Sequence, residues 1–220
     1  MGRFLRRYRC VQADNIGGLT IKEVEIKAAL AAEQYEGILA KAQTLGYDFV
    51  CELWETDTYM NGIGRNFAKT DEALRVRETK NATSGKQSAF MAYKGPKLDE
   101  VSMTRKELEV QVSDAAVAQE LLGHLGFPVV LRVSKHRRQF ARRLADGQGI
   151  SLCLDYLEGL GHYLELEQMV EDSEGGEDSE GGEGHYEALG NILACLRELG
   201  VPETAMERRS YLEILMREKS

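Results

Sequence analysis

The strongest constraint on the fold is an alternation that keeps returning along the chain. Short segments place charged residues at every second position and apolar residues between them, and in a strand such positions share a face. Within residues 20–27, TIKEVEIK, Glu23, Glu25 and Lys27 share one face, with Val24 and Ile26 opposite. Arg75 and Arg77 oppose Leu74 and Val76, and Lys94 faces away from Met91 and Tyr93. Arg105, Glu107 and Glu109 oppose Leu108 and Val110; Lys135 and Arg137 pair in the same way, with Ser134 and His136 leaving their opposite face open. Asp155 faces away from Leu152 and Leu154, as Glu165 and Glu167 do from Leu164 and Leu166. The pattern predicts eight strands, over 20–27, 48–55, 73–79, 88–94, 105–112, 129–135, 150–156 and 162–168. Helical spacing covers 29–45, 115–125 (capped by Asp114), 185–199 and 205–218 (capped by Thr204). The strands follow one another without crossover helices, so the sheet is expected to be largely antiparallel.

For any one strand, an ordinary half-exposed sheet accounts for the alternation. The set says more. The charged face gathers seven basic groups (Lys27, Arg75, Arg77, Lys94, Arg105, Lys135, Arg137) and seven acidic ones (Glu23, Glu25, Glu107, Glu109, Asp155, Glu165, Glu167). A sheet curled with this face inward is a barrel with a polar lumen, its apolar outside covered by helices. A lipid-facing porin is excluded by the short strands, the helices and the lack of aromatic girdles. Such a lumen has to hold water or a ligand, because unpaired buried ions cost several kcal/mol each. Arginine forks match phosphate oxygens, and clustered carboxylates suit Mg²⁺ or Mn²⁺ shared with substrate phosphates. Residue types alone therefore point to a polyphosphate held with a divalent metal.

Charge elsewhere is uneven. Over 220 residues, 36 acidic against 28 basic side chains give a net charge of −8, against a nucleic-acid partner. Seven of those carboxylates lie in EDSEGGEDSEGGE (171–183), where DSEGGE occurs twice; without them the charge is −1. This tract, within 171–184, is expected to be a disordered acidic loop. Residues 1–19, with Arg3, Arg6, Arg7 and Arg9, read as a basic extension. No run is long and apolar enough for a membrane span. Cys10, Cys51, Cys153 and Cys195 form no CxxC, and reduced thiols in a cytoplasmic protein are expected. Trp54 is read as a core or tunnel-rim aromatic.

Several segments together resemble one family. Glu23 to Lys27, EVEIK, is similar to the ExExK signature of the CYTH superfamily, the triphosphate tunnel metalloenzymes. DTYMNGIGRNFAKTDEALRVRE (57–78), YKGPKLD (93–99), TRKELEVQVSD (104–114), LGFPVVLRVSKHRRQF (125–140), ISLCLDYLEGLGHYLELE (150–167) and SYLEIL (210–215) resemble, in order, segments of its class IV adenylyl cyclase branch. The resemblance implies one α+β domain over 20–220: an eight-stranded antiparallel barrel, the triphosphate tunnel, surrounded by helices, with C-terminal helices over 185–220. It implies that Lys27, Arg75, Arg77, Lys94, Arg105, Lys135 and Arg137 bind the triphosphate, with Lys27, Arg75 and Lys94 as catalytic members. It implies that Glu23, Glu25, Asp155, Glu165 and Glu167 bind Mg²⁺ or Mn²⁺, while Glu107 and Glu109 either join them or hold the basic groups. Met60, Asn66 and His162 depart from the branch pattern on the nucleoside side. The activity implied is conversion of ATP to cyclic AMP and pyrophosphate. The alternatives are hydrolysis of inorganic, thiamine or nucleoside triphosphate, and a non-catalytic polyphosphate-binding module. Homodimers are common in relatives of this branch, though no segment here marks an interface.

Overall fold

Eight antiparallel strands close into one barrel in the order β1-β5-β4-β3-β2-β6-β7-β8. They are β1 (Ile21–Leu30), β2 (Asp48–Met60), β3 (Ala73–Asn81), β4 (Gln87–Lys97), β5 (Arg105–Val112), β6 (Val129–Arg143), β7 (Gly149–Leu157) and β8 (Gly161–Glu171). Among the described residues four α-helices accompany them: α1 (Tyr35–Thr44), α2 (Ala115–His124), α3 (Glu183–Leu199) and α4 (Tyr211–Glu218). The computed structural model describes residues 21–145, 147–171 and 183–218. The basic stretch 1–19 and most of the acidic repeat lie outside the described residues.

The apolar core sits outside the barrel wall, as the strand parity requires. Val24, Ile26 and Ala28 of β1 are at most 1% exposed. They pack with Leu152, Leu164 and Leu166 against Ile38 and Ala42 of α1 and Ile192 and Leu196 of α3. A second cluster lies under α2, where Ala115 and Leu122 meet Leu74, Val76 and Ala89. A third joins α4 to one end of the barrel through Tyr59, Val133, Tyr163, Tyr211 and Ile214. No helix of the described residues is long and apolar enough to cross a membrane.

Element boundaries differ from the sequence expectation where tertiary pairing overrides local propensity. The predicted helix from 29 starts only at Tyr35, because Ala28 and Leu30 remain in β1 opposite Leu164 and His162 of β8. Strands β2 and β6 run on to Met60 and Arg143, since each pairs with the other along most of its length. The last helix begins at Tyr211 rather than 205. Met206 bridges to Ala28, and the Glu207 amide donates to the Lys27 carbonyl at 2.7 Å, which keeps this stretch extended. Its cap is a reciprocal Ser-x-x-Glu box: Ser210 Oγ accepts from the Glu213 amide at 3.2 Å, and Glu213 accepts from the Ser210 amide at 2.6 Å. Asp114 caps α2 as expected, accepting from the Val117 amide at 3.0 Å. Against the expectation of reduced thiols, Cys51 is disulfide-bonded, while Cys153 and Cys195 are free and buried.

The closure between β1 and β5 is thin. Only Glu23 and Arg105 are register partners there. Beyond them the Met103 amide donates to the Glu25 carbonyl at 2.8 Å, and the 206–207 segment takes over the edge of β1.

Candidate active site

The lumen is a cavity of about 320 Å³, lined by side chains from strands around the barrel. The charged positions expected on one face of each strand do converge. Glu23, Glu25, Lys27, Arg75, Arg77, Lys94, Arg105, Lys135, Arg137, Glu165 and Glu167 border this cavity. Asp155 sits behind them, fully buried.

Most of these charges are already paired. Arg77 makes a bidentate bridge to Asp57, with Nε to Oδ1 at 2.6 Å and Nη2 to Oδ2 at 2.7 Å. Arg137 does the same with Asp155 at 2.7 Å on both arms, and also reaches Glu165. Lys135 lies between Asp155 at 3.2 Å and Glu55 at 3.3 Å. Glu107 sits between Lys94 at 2.8 Å and Arg75 at 3.4 Å, the position of a group that holds the basic residues. Glu109 has no hydrogen bond or ion pair among the described residues, and burial, then Glu107, raises its pKa. Arg105 is turned toward the rim: it donates to the carbonyls of Asp71 at 2.6 Å and Gly95 at 3.1 Å and to Asp71 Oδ1 at 3.1 Å.

Burial opposes ionisation throughout, and what decides each group is its partner. Burial pushes Glu55 up, but Arg77, Lys135 and Arg137 outweigh it and hold this carboxyl at about 2. Burial also pushes Asp57 up, yet Arg77 and Arg75 hold it well below its usual range. Glu165 is depressed by Arg137, Lys135 and Lys27, again against burial.

Strand β1 is the exception. Glu23, Glu25 and Lys27 have no ion-pair partner among the described residues, though Lys27 is only 2% exposed. The Lys27 ammonium is 3.4 Å from the Met103 sulfur and lies over the Tyr211 ring, 4.4 Å from its centroid. Burial lowers its pKa, and Glu165 and Glu25 only partly offset this. Glu25 is the direct cross-strand partner of Glu167 on β8, a like-charge juxtaposition that destabilises a sheet. Burial and then Glu167 raise the pKa of Glu23; burial and then Glu165 raise that of Glu25. Burial, with Arg137 opposing and Glu25 and Glu165 adding, lifts Glu167 to about 7.

Three functional neighbours lie outside the sequence expectation. Glu55 and Asp57 provide the counter-ions of the basic set, and the alternation of ETDTY carries both once β2 continues past residue 55. Tyr211 donates its hydroxyl to Asp155 Oδ2 at 2.9 Å; nothing local signals that a helix so late in the chain reaches the lumen. Among the described residues no three His, Cys, Asp or Glu are gathered as a finished metal cage. The donor chemistry of Glu23, Glu25 and Glu167 nevertheless fits a hard divalent cation. Such a cation takes one or two carboxylates and completes its shell with water and phosphate oxygens.

The lumen's outer part differs in character. Met60, Phe67, Val130, Leu212 and Met216 give it apolar walls, with Asn61 and Asn66 among them.

Known proteins resemble this chain in sequence and fold. The CYTH domain family model matches residues 22–211. A protein of Methanocaldococcus jannaschii, provisionally named an adenylate cyclase, is 32% identical over 192 residues, 87% of this chain and 97% of that one. A solved protein of Pyrococcus horikoshii superposes with a TM-score of 0.74 at 36% identity, covering 89% of this chain and 99% of its own. A Hippeastrum protein, described as a provisional adenylyl cyclase with a dominant triphosphatase activity, shares the fold at a TM-score of 0.58 and 16% identity, covering 90% and 95%.

Proposed function

Because the chain belongs to the CYTH family, an enzyme family of adenylyl cyclase and triphosphatase type that acts on triphosphates with a divalent metal, we propose that it converts ATP to cyclic AMP and pyrophosphate in the barrel lumen. One observation carries the reading: among the described residues the three lumen charges of β1 have no counter-ion at salt-bridge distance, although holding charges so, out of full contact with water, is costly. Lys27 is then free for phosphate, and Glu23 and Glu25, with Glu167 beside them, for a cation. The apolar outer walls favour a triphosphate with an organic end over an inorganic one.

In this reading the triphosphate lies along the basic groups. Lys27, Arg75 and Lys94 are the catalytic contacts, with Arg77, Arg105, Lys135 and Arg137 completing the phosphate-binding set. The carboxylates Glu55, Asp57, Asp155, Glu165 and Glu107 hold those cations in place, so that little reorganisation accompanies the reaction. Glu23, Glu25 and Glu167 would hold Mg²⁺ or Mn²⁺, while Asp155 and Glu165, expected with them, are taken up by Arg137. When bound, the metal supplies Lewis-acid polarisation of phosphate oxygens and lowers the cost of an attacking alkoxide. The ribose 3′-hydroxyl passes its proton to solvent water as its oxygen bonds to the α-phosphorus. The bond from that phosphorus to the bridging oxygen breaks, and pyrophosphate leaves with the negative charge. In this reading Arg75 and Lys94 stabilise that charge, and most of the rate comes from positioning.

The test is a product assay. The full chain is incubated with ATP, thiamine triphosphate or tripolyphosphate and Mg²⁺ or Mn²⁺, and cyclic AMP, pyrophosphate and orthophosphate are quantified. Cyclic AMP with stoichiometric pyrophosphate is expected. Orthophosphate without cyclic AMP would replace the cyclase reading with hydrolysis. Binding without turnover of any substrate would replace both with a polyphosphate-binding module.

A further inference from the structure

The outer wall of the barrel carries a feature that the lumen chemistry does not use. Trp54 on β2, His136 on β6, Tyr156 on β7 and His162 on β8 are direct register partners in turn, forming one row across four strands. This corrects the expectation for Trp54: it is neither core nor tunnel rim but 57% exposed on the outside. His162, a departure from the branch pattern, extends the row.

The row is not continuous. Trp54 stacks on His136 with ring centroids 4.4 Å apart and planes at 26°. Tyr156 contacts His162 at 5.0 Å, and His162 contacts Tyr35 of α1 at 5.0 Å. Between His136 and Tyr156 there is no ring contact among the described residues, although they face each other in register. A cavity of about 420 Å³ borders both of them there, with Leu154, Tyr35, Glu36 and His162 also in its lining. That volume lies in the range of small-molecule sites.

We propose that this cavity is a second binding site, taking a planar heteroaromatic ring that slots between His136 and Tyr156 and completes the stack from Trp54 to Tyr35. Aromatic rings on neighbouring strands form a platform on which flat π-systems pack with little dependence on their substituents. Charge narrows the class. Glu36 borders the cavity, and Glu52 is bonded to His136 Nε2 at 2.6 Å. The nearby cation, Arg138, reaches toward the Tyr35 hydroxyl at 3.4 Å. A neutral or cationic ring is therefore accepted and a phosphorylated one disfavoured, the reverse of the lumen. The site stands on geometry separate from the lumen and does not rest on the cyclase reading.

The chain has a single tryptophan, Trp54, so its emission reports on the row directly. The experiment titrates adenosine, caffeine and thiamine into the full chain with the lumen saturated by tripolyphosphate, and repeats the titration by calorimetry. At least one probe is expected to change Trp54 emission saturably, with adenosine monophosphate binding more weakly than adenosine. Tyr156→Leu should weaken binding by about tenfold or more. Tyr156→Phe, which keeps the ring and tests that the fold is intact, should bind as the parent does. Triphosphate turnover should be the same in both variants. No saturable binding of any probe, equal affinity in Tyr156→Leu, or a preference for the monophosphate would each overturn the proposal.

Discussion

Two walls of the same lumen treat charge in opposite ways. On β2, β3, β6 and β7, every charged lumen group has a counter-ion at salt-bridge distance, from Arg77 with Asp57 to Arg137 with Asp155. On β1, Glu23, Glu25 and Lys27 have none among the described residues. The paired wall is built by folding itself: its charges satisfy each other, and its cost has been met before any ligand arrives. The unpaired wall has its cost outstanding, and on the proposed reading a bound cation and a bound anion meet it. On that reading, the difference separates charges that hold the tunnel's shape from charges that wait for its contents.

The comparison can be broken in three places. The largest effect on stability is expected at the paired wall. Asp155→Ala leaves Arg137, Lys135 and the Tyr211 hydroxyl without their shared acceptor and should cost about 3–5 kcal/mol of stability, read from urea unfolding. A loss below about 1 kcal/mol would show that the paired wall is no more structural than the other. At the unpaired wall the signs separate. Glu25→Gln should lower turnover by about 100-fold, yet leave metal-free protein as stable as the parent or slightly more so, because it removes a like-charge neighbour of Glu167. A melting temperature well below the parent's would contradict this.

The smallest signal is a slope against pH. The folded-state pKa of Glu55, at about 2, lies below its unfolded value. Its contribution is thus fully present above the usual carboxylate range and is lost as pH falls from there toward about 2. Between pH 4.5 and 3.5 the parent should lose up to about 1.4 kcal/mol through this one group. Glu55→Gln should flatten the acid limb by that amount, measured as urea midpoints at the two pH values. An unchanged slope would mean that Glu55 is not held by Arg77 and Lys135.

Much of this arrangement is written in the parity of single strands. Lys27, Arg75, Arg77, Glu165 and Glu167 alternate with apolar residues, and Lys135 and Arg137 share a face by the same spacing although Ser134 and His136 stand beside them; that parity makes their common lumen legible. The antiparallel barrel and its outer helices follow from the same pattern. What parity does not carry is adjacency. Nothing in the local sequence says that β2 lies beside β6, so the Lys135–Glu55 contact is out of its reach. The same holds for β1 beside β8, which sets Glu25 against Glu167. Asp57 gains its role only when β2 runs five residues beyond the predicted end at 55, an extension that pairing with β6 supports. Tyr211 is hidden for a different reason. Helical spacing reads back to 205, although Ser210 and Glu213 spell a capping box that marks the true beginning.

The thin seam beside β1 has a consequence for how the protein is made. β1 emerges from the ribosome well before residues 206–207, and the edge that carries Lys27 is completed only when they arrive to pair with it. At about 5–20 residues per second, that is a delay of roughly ten to thirty-five seconds. Throughout it the strand with the three uncompensated charges has no finished neighbour on that side. A nascent chain interrupted before residue 206 would hold all eight strands of the barrel and yet leave the edge of β1 at Lys27 and Ala28 unpaired, so, on the proposed reading, a settled phosphate site would be among the last properties the protein acquires during synthesis.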